Sequence, residues 1–296
     1  MAPMQFGGVY AATTTPFSDD GAVDVSAFEK HCARLADSGV SGVIPNGSLG
    51  EYEALDDKER ATLVEAARSV VGERIPVVPG VSGRSARDAR RWAEHAASVG
   101  CPAVMCLPPT SHAPSDDETV AHFAEVAKAG LPIIAYNNPS STRVDLTPSL
   151  LGRLSQIEAV VAVKDFSQDV RRVAQIIEQA PGIQVICGCD DTIVESMLMG
   201  ATGWIAGFVN AIPRQSVELY ELCEARHWED AVSRYRVLLP LLRFDAHPSF
   251  VQAIKIAQAE TGFSMGPVRL PRLALGADEE AKIRKLTRAA MASETA

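Results

Sequence analysis

The stretch Val160-Val161-Ala162-Val163-Lys164-Asp165 decides the reading of the fold. Its apolar, β-branched run has no polar alternation, so it predicts a strand buried on both faces, as in a parallel sheet covered by helices. Outward from it the same unit recurs. PIIAYN (residues 132–137) precedes it, and residues 169–180 follow with helical spacing. Residues 183–188 and GWIAG (203–207) are the next strands, with helices from 191 and over 213–225. Towards the N-terminus, strands are expected at 9–17, 42–47, 76–81 (PVVPGV) and 102–107. Helices are expected at 25–38, 56–71, 85–98, about 116–129 and from 147. Asp56 with Glu59 three residues on resembles a capping box at a helix start.

Eight β/α units in about 225 residues suit a closed (β/α)₈ TIM barrel better than an open doubly wound sheet. No G-x-G-x-x-G follows the first strand, which argues against a dinucleotide site. The expectation is one structural domain, with residues 1–225 as the barrel and 226–296 as a C-terminal helical extension packed on it. Residues 262–276, with Pro267 and Pro271, are expected to be a loop.

The chain has 296 residues, 47% hydrophobic and 22% charged, with net charge -9. Such acidity disfavours nucleic acid and anionic membranes as partners. No apolar run approaches the roughly 20 residues needed to span a bilayer. No basic-then-apolar leader is evident at Met1–Gly8, so a cytoplasmic protein is expected. The six cysteines (32, 101, 106, 187, 189 and 223) lie scattered in apolar runs and lack zinc-ligand spacing, so they read as core residues.

A barrel of this class carries its reactive groups at the C-terminal ends of strands. Those ends hold Thr13 to Thr15, Asn46 to Glu51, His112, Tyr136 to Asn138, Lys164, Asp165, Asp190, Asp191 and residues 207–210. Among seven lysines, only Lys164 interrupts a strand. Lys255 sits in apolar VQAIKIAQ and reads as a snorkelling side chain. Burial disfavours an ammonium, and a neutral amine attacks ketones, so Lys164 suits Schiff-base chemistry. The competing reading is a structural lysine paired with a carboxylate such as Asp165. Tyr136 stands as a proton relay or as a rim aromatic bonded to backbone. Gly47-Ser48-Leu49-Gly50-Glu51 can form an anion-binding nest or an ordinary turn. His112 reads as an acid/base or a surface residue. Asp191 is expected to cap the next helix, and no His/Asp/Glu set has convincing metal spacing.

In order along the chain, these motifs resemble the dihydrodipicolinate synthase and N-acetylneuraminate lyase family. Thr13-Thr14-Thr15-Pro16-Phe17 resembles its opening segment, and Gly47-Ser48-Leu49-Gly50-Glu51 its G-[ST]-x-G-E loop. Tyr136-Asn137-Asn138-Pro139 resembles its Y-N-x-P segment, and Val163-Lys164-Asp165 its lysine strand. Residues 188–191, 200–201 and 203–210 resemble its C-terminal signature. The resemblance implies a lysine-dependent lyase in which Lys164 forms an imine with a small 2-oxo acid and Tyr136 relays protons. Ser48 and the Leu49 amide would hold the substrate carboxylate, with Ile205 contributing backbone nearby. It implies no metal or organic cofactor, and a homo-oligomer, either dimer or tetramer.

Three positions depart from the dihydrodipicolinate synthases. Ser141 stands where they carry a substrate-binding arginine, with Arg143 two residues later. Pro109-Thr110-Ser111-His112 lacks their loop tyrosine, and Leu49 lacks a usual hydroxyl. These changes favour an aldolase, dehydratase or deaminase on another 2-oxo acid. The alternatives are 4-hydroxy-tetrahydrodipicolinate synthase itself, with Arg143 and His112 standing in, and a non-catalytic small-acid sensor.

Overall fold

Parallel strands β1 (Gly8–Ala12), β2 (Gly42–Ile44), β3 (Val104–Cys106), β4 (Ile133–Asn137), β5 (Val160–Asp165), β6 (Gln184–Cys187) and β7 (Gly203–Ala206) form one sheet. The computed structural model describes residues 4–292. The sheet order is β2-β1-β7-β6-β5-β4-β3, so β2 and β3 are its two ends. Residues 76–81 join those ends. They make parallel bridges from Val77 to Val43 and from Gly80 to Met105. Val78 N donates to Val43 O and Val81 N to Met105 O, each at 2.9 Å. The ring is thereby closed as a (β/α)₈ barrel.

The sequence suggested eight strands; the structure has seven and one irregular stave. Pro76 and Pro79 explain the difference, because neither has an N–H to offer a ladder. Gly80 adds a close approach: a Cβ there would lie 2.2 Å from Asn46 O. The first strand is also shorter than expected. After Ala12 the threonine side chains turn to local partners: Thr14 donates to Gln258 and Thr15 to Gly50 O.

Helices α1 (Val25–Asp37), α2 (Asp57–Val71), α3 (Ala86–Ser98), α4 (Asp116–Ala127), α5 (Pro148–Leu154), α6 (Arg171–Gln179), α7 (Ile193–Leu198) and α8 (Pro213–Glu224) follow the staves. The Asp56 capping box is present: Glu59 N donates to Asp56 at 2.8 Å, and Asp56 N donates back to the Glu59 carboxylate at 2.9 Å. Asp191 is not a cap. It lies in a 3₁₀ turn (Asp190–Thr192), and α7 begins after Thr192 without a side-chain cap. The turn is instead drawn inward by Asp190, which bonds to β7 and the turn beyond it.

Three further helices complete the described chain: α9 (Trp228–Leu242), α10 (Phe250–Glu260) and α11 (Ala277–Ala292). One apolar core runs from Phe6 to Ala290 and includes all six cysteines, each buried and unpaired. Among the described residues, no helix is long and apolar enough to cross a membrane.

Candidate active site

Strand register builds the centre of the site. Lys164 of β5 pairs with Tyr136 of β4 and Ile186 of β6. Residues in one register row of a parallel sheet share a face, so Lys164 and Tyr136 point together into the barrel. The next row, Asn137 and Asp165, points outward, where Asn137 donates to Asp165 at 2.8 Å. Ser167 also donates to Asp165. Asp165 is therefore occupied on the opposite face and is not the partner of Lys164.

Lys164 is 6% exposed, and among the described residues no carboxylate lies within 4.0 Å of its Nζ. That atom sits 4.4 Å from the Tyr136 ring centroid and 5.8 Å from that of Phe166. Gly188 explains how the lysine stem fits. A Cβ there would lie 2.6 Å from Asp165 O and 3.0 Å from Lys164 Cγ.

Lys255 is the instructive contrast. It does not snorkel: at 4% exposure it pairs with Glu51 at 2.9 Å and donates to Pro267 O at 2.7 Å. Burial pushes its pKa down, and the Glu51 carboxylate opposes that. The other five lysines are exposed. Of the two buried lysines, one is held in an ion pair and is structural, and the other has no ion-pair partner within 4.0 Å among the described residues and faces a cavity.

That cavity has a volume of about 290 Å³ and lies at the C-terminal ends of the strands. Gly47, Ser48 and Leu49 form one wall, and Tyr136, Asn138, Ser140 and Ser141 another. The Gly47–Glu51 loop is bracketed by left-handed residues, Asn46 (φ 59°) and Glu51 (φ 54°). Non-glycine residues hold such angles only when their surroundings impose them. Here Asn46 donates to Arg60 O, and Glu51 is fastened by Lys255 and the Arg269 amide. Thr15 donates to Gly50 O from the far side. The threonine run thus holds the loop rather than lining the cavity.

Asn138 donates to the Tyr136 hydroxyl at 2.9 Å, which leaves the phenol proton free to point at a ligand. Burial raises the Tyr136 pKa, while Lys164 and Asn138 pull it back. Ile205 is wholly buried in β7 against Tyr10, and the cavity wall on this side is formed by Gly207, two residues on. His112 and Arg143 are exposed and lie outside this cavity's lining, whereas Ser141 belongs to it.

The C-terminal extension supplies groups that sequence reasoning missed. Asp245, Ala246, His247, Pro248 and Phe250 line the cavity, as does Arg272 from the loop before α11. Arg272 lies 5.3 Å from the Phe250 ring, and among the described residues it has no carboxylate partner. Its neighbour Arg269 is engaged by Glu59, Gly21 O and Ala54 O. The signal was legible: FDAHPSF (244–250) sets an acid, a histidine and a proline into an otherwise helical pattern. The extension therefore reaches over the barrel mouth as well as packing on its side.

The model of the Dihydrodipicolinate synthetase family matches residues 5–290. A 4-hydroxy-tetrahydrodipicolinate synthase of Methanothrix thermoacetophila is 33% identical, covering 94% of this chain and 95% of its own length. Among solved structures, the 4-hydroxy-tetrahydrodipicolinate synthase of Methylacidiphilum fumariolicum superposes with a TM-score of 0.93 at 26% identity, covering 97% of both chains. A dihydrodipicolinate synthase of Bacillus anthracis gives 0.92 at 28% identity, covering 97% of this chain and 99% of its own.

Proposed function

The chain belongs to the dihydrodipicolinate synthetase family and is an enzyme of the lyase type, and from that premise we propose that it forms an imine between Lys164 and a small 2-oxo acid. The observation that carries this reading is the burial of Lys164 at the cavity with, among the described residues, no carboxylate within 4.0 Å of its Nζ. With no carboxylate bound to it among the described residues, the Lys164 amine is presented to a ligand in the cavity, which suits nucleophilic attack on a ketone.

The steps follow from the neighbours. Lys164 attacks the ketone carbon, and the carbonyl oxygen leaves as water after protonation from the Tyr136 hydroxyl. Ser48 Oγ and the Leu49 amide hold the adjoining carboxylate, with Ile205 supporting from β7. The iminium then withdraws electrons from the neighbouring carbon, which can lose a proton or break a bond. No metal or organic cofactor enters this reading, because the imine itself is the electron sink.

Borohydride reduction in the presence of pyruvate tests it. Mass spectrometry of the digest is expected to find the reduced adduct on Lys164, absent from Lys164→Ala. A wild-type protein that carries no adduct there with any small 2-oxo acid would sink the reading.

The relatives' names favour a narrower reading, condensation of pyruvate with aspartate semialdehyde. Ser141 and the outward placement of Arg143 and His112 count against it. A coupled assay with both substrates decides. A non-catalytic sensor has no support among these relatives. A homo-oligomer, dimer or tetramer, is part of the proposal. Exposed Ile177, Leu198 and Met199 support it, with Ile177 packing against Gly200 beside Met199. Light scattering measures the assembly.

A further inference from the structure

Two carboxyls lie side by side beneath the cavity, and their surroundings differ. Asp190 is wholly buried and accepts from Trp204 Nε1 (3.0 Å), Gly207 N (3.1 Å) and Phe208 N (2.7 Å). Asp245 is 6% exposed and accepts a single backbone N–H, that of Asp190, at 3.2 Å. Only Asp245 lines the cavity with Lys164. Room for it is made by Gly207, where a Cβ would lie 2.4 Å from Asp245 Oδ1.

Adjacent buried carboxyls do not both ionise readily, and the one with more donors takes the charge. The donor set assigns that charge to Asp190. Burial first, and then the Asp190 charge, push Asp245 well above the usual carboxylate range, with Lys164 opposing. Asp245, with one donor against three on Asp190, is thus the carboxyl of the pair that holds its proton more tightly, in the same cavity as the lysine.

Resting on the imine reading of Lys164, we infer that Asp245 is the site's second acid–base group and that it protonates a leaving hydroxyl at C4 of a 4-hydroxy-2-oxo acid. The chemistry distinguishes two outcomes. Retro-aldol cleavage needs a base to take the C4 hydroxyl's proton. Elimination needs an acid to give that oxygen a proton, and the environment of Asp245 supplies the acid. In the step, the iminium loses a C3 proton to solvent water through the Tyr136 hydroxyl, giving the enamine. The enamine electron pair then forms the C3–C4 double bond and the C4–O bond breaks. The Asp245 proton passes to the departing oxygen, and water leaves. The C2=N iminium is restored, hydrolysis releases the unsaturated 2-oxo acid, and solvent reprotonates Asp245.

The groups that face or act on Asp245 are Asp190, Asp191, Lys164, Tyr136 and Cys189. His247 and Arg272 share its cavity. His247 is exposed at the rim with its Nδ1 engaged by Ser249, so Asp245 and Tyr136 are the buried groups that can offer a proton at the cavity besides the nucleophile.

The test uses the full chain with 4-hydroxy-2-oxopentanoate and its six-carbon analogue, following the unsaturated acid and pyruvate together. Wild type is expected to form the unsaturated acid as the main product, with kcat falling on the alkaline side. Asp245→Asn keeps the size of the side chain and an acceptor for the Asp190 amide. It is expected to retain the pyruvate–borohydride adduct on Lys164, lose about 10²- to 10⁴-fold in kcat, and lose the alkaline limb. Four results overturn the inference: kcat within about threefold of wild type, pyruvate as the main product, no turnover of either probe while wild-type Lys164 still traps pyruvate, or loss of the adduct in Asp245→Asn. A wild type without any adduct instead sinks the Lys164 reading.

Discussion

Glu51→Gln removes one charge from the buried pair that holds the Gly47–Glu51 loop, and its cost can be worked from the structure. The side chains of Lys255 and Glu51 are 4% and 1% exposed, and their charged atoms lie 2.9 Å apart. Glutamine keeps an oxygen for the Arg269 amide, so the charge pair is the main loss. Removing one partner of such a pair costs about 3–5 kcal/mol, because the other charge is left buried. The lysine can escape by releasing its proton. From an unfolded value of ~10.4, neutralisation at pH 7 costs about 1.36 kcal/mol for each of ~3.4 units, or roughly 4.6 kcal/mol at most. The two estimates agree, so a deficit of about 4 kcal/mol is expected at pH 7.

The sign of the pH dependence follows. In the variant, native Lys255 binds fewer protons than unfolded Lys255, so stability rises with pH, by up to about 1.36 kcal/mol per unit. The wild-type shift has the same direction, held smaller by Glu51. The deficit should therefore shrink between pH 7 and the unfolded lysine value. Urea unfolding followed by tryptophan fluorescence at fixed protein concentration measures it. With a slope of about 3 kcal/mol/M, the midpoint should fall by roughly 1.3 M at pH 7. A deficit under about 1 kcal/mol, or one that does not change between pH 7 and 9, would refute the account of Lys255 as a compensated structural lysine.

Gly188→Ala places a methyl 2.6 Å from Asp165 O and 3.0 Å from Lys164 Cγ, so the lysine must move. A displacement of about 1 Å costs on the order of 10²-fold in rate; single-turnover adduct formation reads it, and an unchanged rate rejects the packing argument. Arg272→Ala removes from the cavity wall a cation that has no carboxylate partner among the described residues. With about 1.5–3 kcal/mol for a hydrogen bond to a charged group, KM for the 2-oxo acid should rise at least tenfold while the Lys164 adduct still forms at saturation. Steady-state kinetics showing no change in KM would remove Arg272 from substrate binding.

What the sequence determined by itself is the alternation of elements and the strand end on which Lys164 stands. Both are local. A β-branched run such as VVAV specifies its strand, and the period of two decides that Lys164 and Asp165 face opposite ways. Ser48, Leu49 and Tyr136 were readable for the same reason, since the first two follow a strand and Tyr136 stands near the end of one, at the barrel mouth. Residues 76–81 were misjudged because the run looks apolar, while its two prolines withhold ladder donors.

Tertiary structure alone decided which charged groups are compensated. Lys164 and Lys255 look alike in sequence, each embedded in apolar residues. Glu51, about two hundred residues from Lys255, makes that lysine structural, whereas among the described residues no carboxylate lies within 4.0 Å of the Lys164 amine. The same holds for Asp190 and Asp245, whose difference lies in how many N–H groups converge on each from β7 and the turns around it. Such convergence depends on how distant elements close around a point, and no local spacing encodes it.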